Sequence, residues 1–278
     1  MKKNTVLILL IGSFLTLPIF VCAQNFGRKK ERLAIVAPEK FLKIGEELQY
    51  SVEWLGVRVG KIILKVEEIK NIDGHDCYHI IARAMPNKYL AKFYDVEYIV
   101  HTYIDKENFY TRRFEKIRRM EGKYNYVTIE FDREKKEVRF RTEGSAPLFD
   151  ISGRRVQVGQ SAPHTLKIIN GTQDLFSSVY YIRLLEIKDD QSYTITIYYD
   201  RKNWPLHMKV GRPFYRDIRR KGTFAVFEAS MNSDLSTFIL GKSGMTVYFS
   251  ADSRRIPLEF KFGTGMGSVR GIIQYISD

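Results

Sequence analysis

The chain has 278 residues, with 45 Lys and Arg against 32 Asp and Glu, a formal charge of +13, and 17 Tyr and 18 Phe. Two cysteines exclude a disulfide-stapled scaffold and every Cys-rich zinc pattern. The basic balance points to anionic partners: phospholipid head groups, lipopolysaccharide phosphates or acidic glycans. Nucleic acid is the other anionic partner, but no nucleic-acid motif is present.

Lys2 and Lys3 precede an apolar run, Val6 to Val21, interrupted only by Gly12, Ser13, Thr16 and Pro18. Val21-Cys22-Ala23 follows with residues a signal peptidase accepts, so residues 1–23 are expected to be a signal peptide cleaved before Gln24. Two alternatives stand beside this, a retained anchor and a lipoprotein modified at Cys22. Pro18 speaks against the first. Val21 speaks against the second, since Gly, Ala or Ser is expected before a lipidated cysteine. Cleavage removes two lysines and no acid, leaving 255 residues at +11, enough for a sizeable core. No later stretch has the roughly 18 continuous apolar residues of a spanning helix. The expected destination is the periplasm.

Residues 24–40, with Arg28 to Arg32 and Pro38, read as a flexible basic lead-in. From Phe41 to the C-terminus, short alternating stretches separated by turn residues predict one β-rich domain. Leu48 to Trp54 alternates. Lys61 to Lys70 and His75 to Ala84 flank Asp73-Gly74, a dipeptide suited to a tight hairpin because glycine accepts positive φ. Val96 to Ile104 and Phe109 to Ile117 flank a second hairpin turn. In Tyr124 to Phe131, Val127, Ile129 and Phe131 face one way and Tyr124, Tyr126 and Thr128 the other. Further strands are predicted at 138–141, 193–199, 207–210, 223–230, 246–249, 258–262 and 269–276. About twelve strands at this spacing predict a curled antiparallel sheet, or a spiral or half-open β-barrel. Asp174 to Glu186 breaks the rhythm with apolar residues at helical spacing and a capping aspartate, predicting one principal helix. The Gly- and Pro-bearing segment 144–171 reads as an internal crossing.

Catalytic and metal signatures are absent from the sequence, and no cofactor is expected. His75 and His79 are four residues apart on a strand, more than about 10 Å along it. Cys77 lies between them in an apolar run and reads as a small buried hydrophobe. The Gly-rich stretch 263–271 lacks the strand–loop–helix setting of a phosphate-binding loop and reads as a turn. The aromatic load is the main hint of binding. A sheet curled around a helix could line a groove with Tyr50, Trp54, Tyr180 and Tyr181, suited to acyl chains, hydrophobic peptides or sugars, with ordinary core packing as the alternative. In Ser250 to Pro257, Asp252 can organise a tight turn braced by Arg255, and Pro257 can open the next strand.

Three phrases, Gly45 to Gly60, Gly171 to Arg183 and Val247 to Leu258, resemble the DUF3108 family of exported Gram-negative proteins. The family pattern matches at Asp174, Arg183, Asp252, Arg255 and Pro257. The resemblance implies a compartment and a β fold, and no assigned reaction. By analogy of fold with spiral β-barrel and half-barrel lipoprotein-carrier proteins it suggests envelope maintenance or lipid handling, although the carriers' motifs are missing. The leading expectation is a non-enzymatic binder of an amphipathic envelope component. A protein-interaction scaffold of the envelope, and a glycan or peptidoglycan hydrolase, are the alternatives.

Overall fold

The computed structural model describes residues 42–277 other than 94, 146–147, 150–154, 157–165, 200, 234–243 and 265–266. The expected signal peptide, Cys22 and the basic lead-in lie outside the described residues, as do parts of the 144–171 crossing and the 263–271 turn.

Seven strands follow one another as an antiparallel meander: β1 (Glu47–Trp54), β2 (Val57–Ile72), β3 (His75–Pro86), β4 (Val96–Asp105), β5 (Thr111–Met120), β6 (Lys123–Asp132) and β7 (Glu137–Gly144). A small separate pair, β8 (Leu148–Phe149) and β9 (Arg155–Val156), precedes β10 (Leu166–Lys167), which extends the sheet beside β7. After the helix α1 (Leu175–Leu184), the sheet resumes with β11 (Ser192–Tyr199), β12 (Lys202–Val210), β13 (Phe214–Ile218), β14 (Gly222–Asn232), β15 (Met245–Ser250), β16 (Pro257–Thr264) and β17 (Gly267–Ile276). β17 pairs with β1, so both halves join in one 15-stranded sheet running from β10 to β11, with β13 attached to β14 alone.

The curled antiparallel sheet expected from the sequence is present. Its two ends meet through side chains and a connecting segment, not through a continuous ladder. Tyr198 on β11 packs edge-on against Phe131 on β6, Asn203 donates to the Lys167 carbonyl, and Gln173 forms one parallel bridge with Ile197. Alternation decides which residues face inward: Val127, Ile129 and Phe131 join the core, while Tyr124, Tyr126 and Thr128 lie on the outer face. The β13–β14 hairpin folds over the outer face, where Arg216 and Arg270 pair with Glu259 and Arg219 pairs with Glu53.

The hairpin predicted at Asp73-Gly74 is a two-residue turn with both residues at positive φ, 50° and 86°. β12 begins five residues before its predicted start and contains Pro205. It pairs with β14 only from His207 onward, so Pro205 lies where that ladder is absent and its missing N–H breaks nothing there.

Candidate functional site

Helix α1 is held inside the sheet by the residues of the Gly171 to Arg183 phrase. Asp174 is its N-cap: one carboxylate oxygen accepts from the backbone N–H groups of Phe176 and Ser177, 2.7 and 2.9 Å, completing a capping box with Ser177. The other oxygen accepts from Thr102 on β4 and from Thr111 on β5, the latter at 2.8 Å. Gln173 donates to the Phe109 carbonyl at 2.6 Å. Arg133 donates to the carbonyls of Thr111 and Thr172 while its guanidinium lies over the rings of Tyr110 and Phe131. Burial draws the Arg133 pKa down to about 9, leaving it protonated at neutral pH.

The other end is fastened by charge. Arg183, the largest fully buried side chain, makes a bidentate pair with Glu46 at 2.6 and 2.7 Å and donates to the Arg254 carbonyl. Burial lowers the Arg183 pKa, but Glu46, with Tyr180 and Tyr50, outweighs it and the net shift is upward. Asp252 organises its turn by accepting from Ser250 Oγ and from the N–H groups of Arg254 and Arg255. The expected Asp252–Arg255 brace is corrected: Asp252 pairs with Arg254, while Arg255 donates to the carbonyls of Arg183 and Leu185. The exposed carbonyls of a helix C-terminus attract the guanidinium more strongly than a partly solvated carboxylate that already accepts two N–H groups. Pro257 opens β16, and its carbonyl accepts from the Tyr50 hydroxyl at 2.7 Å. Of the family-pattern residues, Asp174, Arg183 and Arg255 fasten the helix, Asp252 shapes the turn that carries Arg255, and Pro257 anchors Tyr50.

The four aromatics expected along a groove separate. Tyr50 and Tyr180 lie in the packed core around the Arg183–Glu46 pair, with burial raising both phenol pKa values. Helix α1 fills the space against which they would have formed walls. Trp54 and Tyr181 are half-buried at the margins of the core.

A different inner-face patch emerges from the register. On the face that carries the helix, Tyr98, Arg118 and Asn125 stand side by side on β4, β5 and β6, opposite Gly144 on β7. The next row is Ala82, Val100, Lys116, Val127 and Thr142. Thr102, one row further, reaches Asp174, which fixes this as the inner face. Among the described residues these two rows hold two cations and no carboxylate; Glu97, Glu115 and Glu143 are on the opposite face. Asn125 is 2% exposed and Thr142 is 1% exposed, yet neither Asn125 amide atom nor the Thr142 hydroxyl has a partner. Arg118 Nε is likewise unpartnered, its Nη2 resting on Met120 Sδ at 3.0 Å. Gly144 sits at φ +130°, and an added Cβ would overlap the Tyr124 carbonyl and Asn125 Cα, so the close approach of β7 to β6 at Asn125 requires glycine. Sequence reasoning missed this patch; only the polar residues at inward positions of Lys123–Asp132 and Thr111–Met120 hinted at it.

On the outer face, His79 does not meet His75. It bonds His101 at 2.9 Å and stacks on Tyr103 at 4.6 Å between ring centres. Burial lowers both imidazole pKa values. Among the described residues no group of three or more His, Cys, Asp or Glu is placed to hold a metal ion. Cys77 is fully buried, and burial with Asp105 pushes its thiol up to about 12. Among the described residues no helix is long and apolar enough to cross a membrane.

The fold is that of a mostly-β protein whose curled, barrel-like sheet encloses one fastened helix. The chain belongs to the DUF3108 family, a family described as proteins of unknown function, whose pattern matches residues 49–274. No curated protein matches it. Among solved structures it is similar to a beta-barrel-like protein of the DUF1849 domain from Brucella abortus, at 10% identity and TM-score 0.45, covering 85% of this chain and 98% of that one. It is also similar to a protein described as exported, with a YmcC-like fold, from Bacteroides fragilis (8%, TM-score 0.32, covering 89% and 100%). A third, described as a lipoprotein, comes from Parabacteroides distasonis (9%, TM-score 0.28, covering 89% and 100%).

Proposed function

We propose that this protein is exported to the periplasm and binds an amphipathic anion of the cell envelope on the inner face of its curled sheet. The acid group of the ligand meets Arg118, Asn125 and Thr142, and its apolar part lies along Val100, Val127 and Tyr98. The observation that carries this reading is the orphaned polar set. A buried amide and hydroxyl without partners cost about 1–3 kcal/mol each unless something else bonds them. Arg118 beside the orphaned Asn125 amide, on rows whose described residues include no carboxylate, favours an anion. The basic start and apolar run of residues 2–21 support export. The proposed role is binding; burial that pushes the Cys77 thiol up to about 12 removes that residue as a nucleophile.

Native mass spectrometry of gently purified protein, followed by solvent extraction, tests the reading. An acidic, acyl-containing adduct is expected, and it should be lost in the Arg118→Gln variant while the melting temperature of the ligand-free protein is kept. A clean mass that persists after incubation with phosphatidylglycerol or a long-chain fatty acid would overturn it and favour a scaffold that binds another envelope protein.

A further inference from the structure

The turn between β1 and β2 uses Leu55 at φ 50° followed by Gly56 at φ 81°, the same geometry as Asp73-Gly74 at the opposite end of the sheet. Such a turn favours Asn, Asp or Gly at its first position, and leucine in the left-handed region is strained. Asp73 obeys that preference and Leu55 does not. Leu55 is also 60% exposed, so its side chain does not offset the strain through core packing. A strained, exposed leucine at a turn tip points to a role outside the fold.

Its neighbours are of the same kind. Val57 is 66% exposed. The loop after β3 is pinned beside it by Asn87, whose N–H donates to the Val59 carbonyl at 2.9 Å and whose side chain donates to the Arg58 carbonyl at 2.5 Å. Asn87 Oδ1 in turn accepts from the N–H groups of Tyr89 and Leu90, shaping a short 3-10 turn, Leu90–Lys92. That turn presents Tyr89 at 66% exposure and Phe93 at 75%. Single exposed apolar residues are ordinary, but four on two adjoining loops at one end of the sheet form a patch. Residues 55–61 and 87–93 also carry Arg58, Lys61, Lys88 and Lys92, all exposed, and no acid. The acid nearest in register is Glu53, the cross-strand neighbour of Arg58, and it is already paired with Arg219 at 2.8 Å; Asp95 and Glu121 are joined to each other through the Glu121 N–H and the Asp95 carbonyl.

We infer that this end of the sheet docks on an anionic lipid bilayer. Leu55, Val57, Tyr89 and Phe93 enter the interface, and Arg58, Lys61, Lys88 and Lys92 meet the phosphates. The charge commits the occupant: an apolar tip flanked by four exposed cations, whose cross-strand acid Glu53 is already paired with Arg219, matches a negatively charged, apolar-backed surface. Tyrosine and lysine suit the boundary because each carries an apolar body and a polar end. The surface uses none of the inner-face residues, so it stands or falls apart from the proposed ligand site.

The test is flotation of the purified full chain with vesicles of phosphatidylcholine alone and of phosphatidylcholine mixed with phosphatidylglycerol. Parent and variants share every other residue, so any contribution of the N-terminal apolar run cancels in the comparison. Salt-sensitive binding to the mixed vesicles is expected, weakened roughly tenfold or more in Lys88→Gln/Lys92→Gln and in Tyr89→Ser/Phe93→Ser. Tyr215→Ser, which removes a more exposed aromatic on β13, should leave binding unchanged. Leu55→Asn should bind less well and fold at least as stably. Equal binding by parent and both double variants, or binding indifferent to phosphatidylglycerol, overturns the inference. So does concentration-dependent dimerisation abolished by Tyr89→Ser/Phe93→Ser, which would assign the patch to a second copy.

Discussion

Replacing Arg183 with methionine removes two bonds to Glu46, at 2.6 and 2.7 Å, and one to the Arg254 carbonyl, and leaves the Glu46 carboxylate 8% exposed without its counter-charge. Removing one partner of a buried ion pair costs about 3–5 kcal/mol, because the remaining charge keeps its desolvation penalty. For a chain of this size each kcal/mol moves the melting temperature by about 2–4 °C, so a fall of roughly 6–20 °C is expected. Removing both charges, in Glu46→Leu/Arg183→Met, should return much of the loss, since the unpaired carboxylate is then gone. Thermal and urea unfolding followed by circular dichroism measure both. If Arg183→Met costs less than about 1 kcal/mol, or if the two single losses simply add in the double variant, the pair does not hold the helix in the manner argued.

Asp174→Ala removes the N-cap and the acceptor of two threonine hydroxyls, so a loss of about 2–4 kcal/mol in urea unfolding is expected, larger than that of an exposed cap. Gly271→Ala should destabilise by about 1–3 kcal/mol, because an added Cβ would overlap the Phe260 ring; Phe260→Leu in the same chain should recover part of it, as measured by thermal melts. Acid should weaken the fold through His79 and His101. Burial holds both pKa values below the ordinary 6.5, with Glu68 opposing the shift at His79 and the His79 charge adding to it at His101. The unfolded chain therefore binds the extra protons. The stabilisation is complete above about pH 6.5 and is lost as pH falls through the lower folded values. His101→Gln should flatten the dependence of melting temperature on pH between 7 and 5 (about the titration range of a histidine), and an unchanged slope would count against this assignment.

Local chemistry made much of the architecture readable in advance. Alternation in Tyr124 to Phe131 specified which residues share a face, Asp73-Gly74 specified a tight hairpin, and Asp174 specified where the helix starts, because each depends only on neighbours along the chain. What each of those faces meets is a matter of register and curvature. Glu46 reaches Arg183 across 137 positions, and Arg255 turns from Asp252 to the helix carbonyls only because the helix end lies beside its turn. His79 finds His101 and Tyr103, not His75, because strands about 5 Å apart bring cross-strand residues closer than residues four apart along one strand. Tyr50 and Trp54 carry the same inward periodicity, yet the helix covers one and leaves the other at the margin. The inner-face pairing of Arg118 with Asn125 belongs to this second kind: sequence alone determined that both are polar positions on strands, and only the antiparallel register placed them side by side, facing inward with no carboxylate between them.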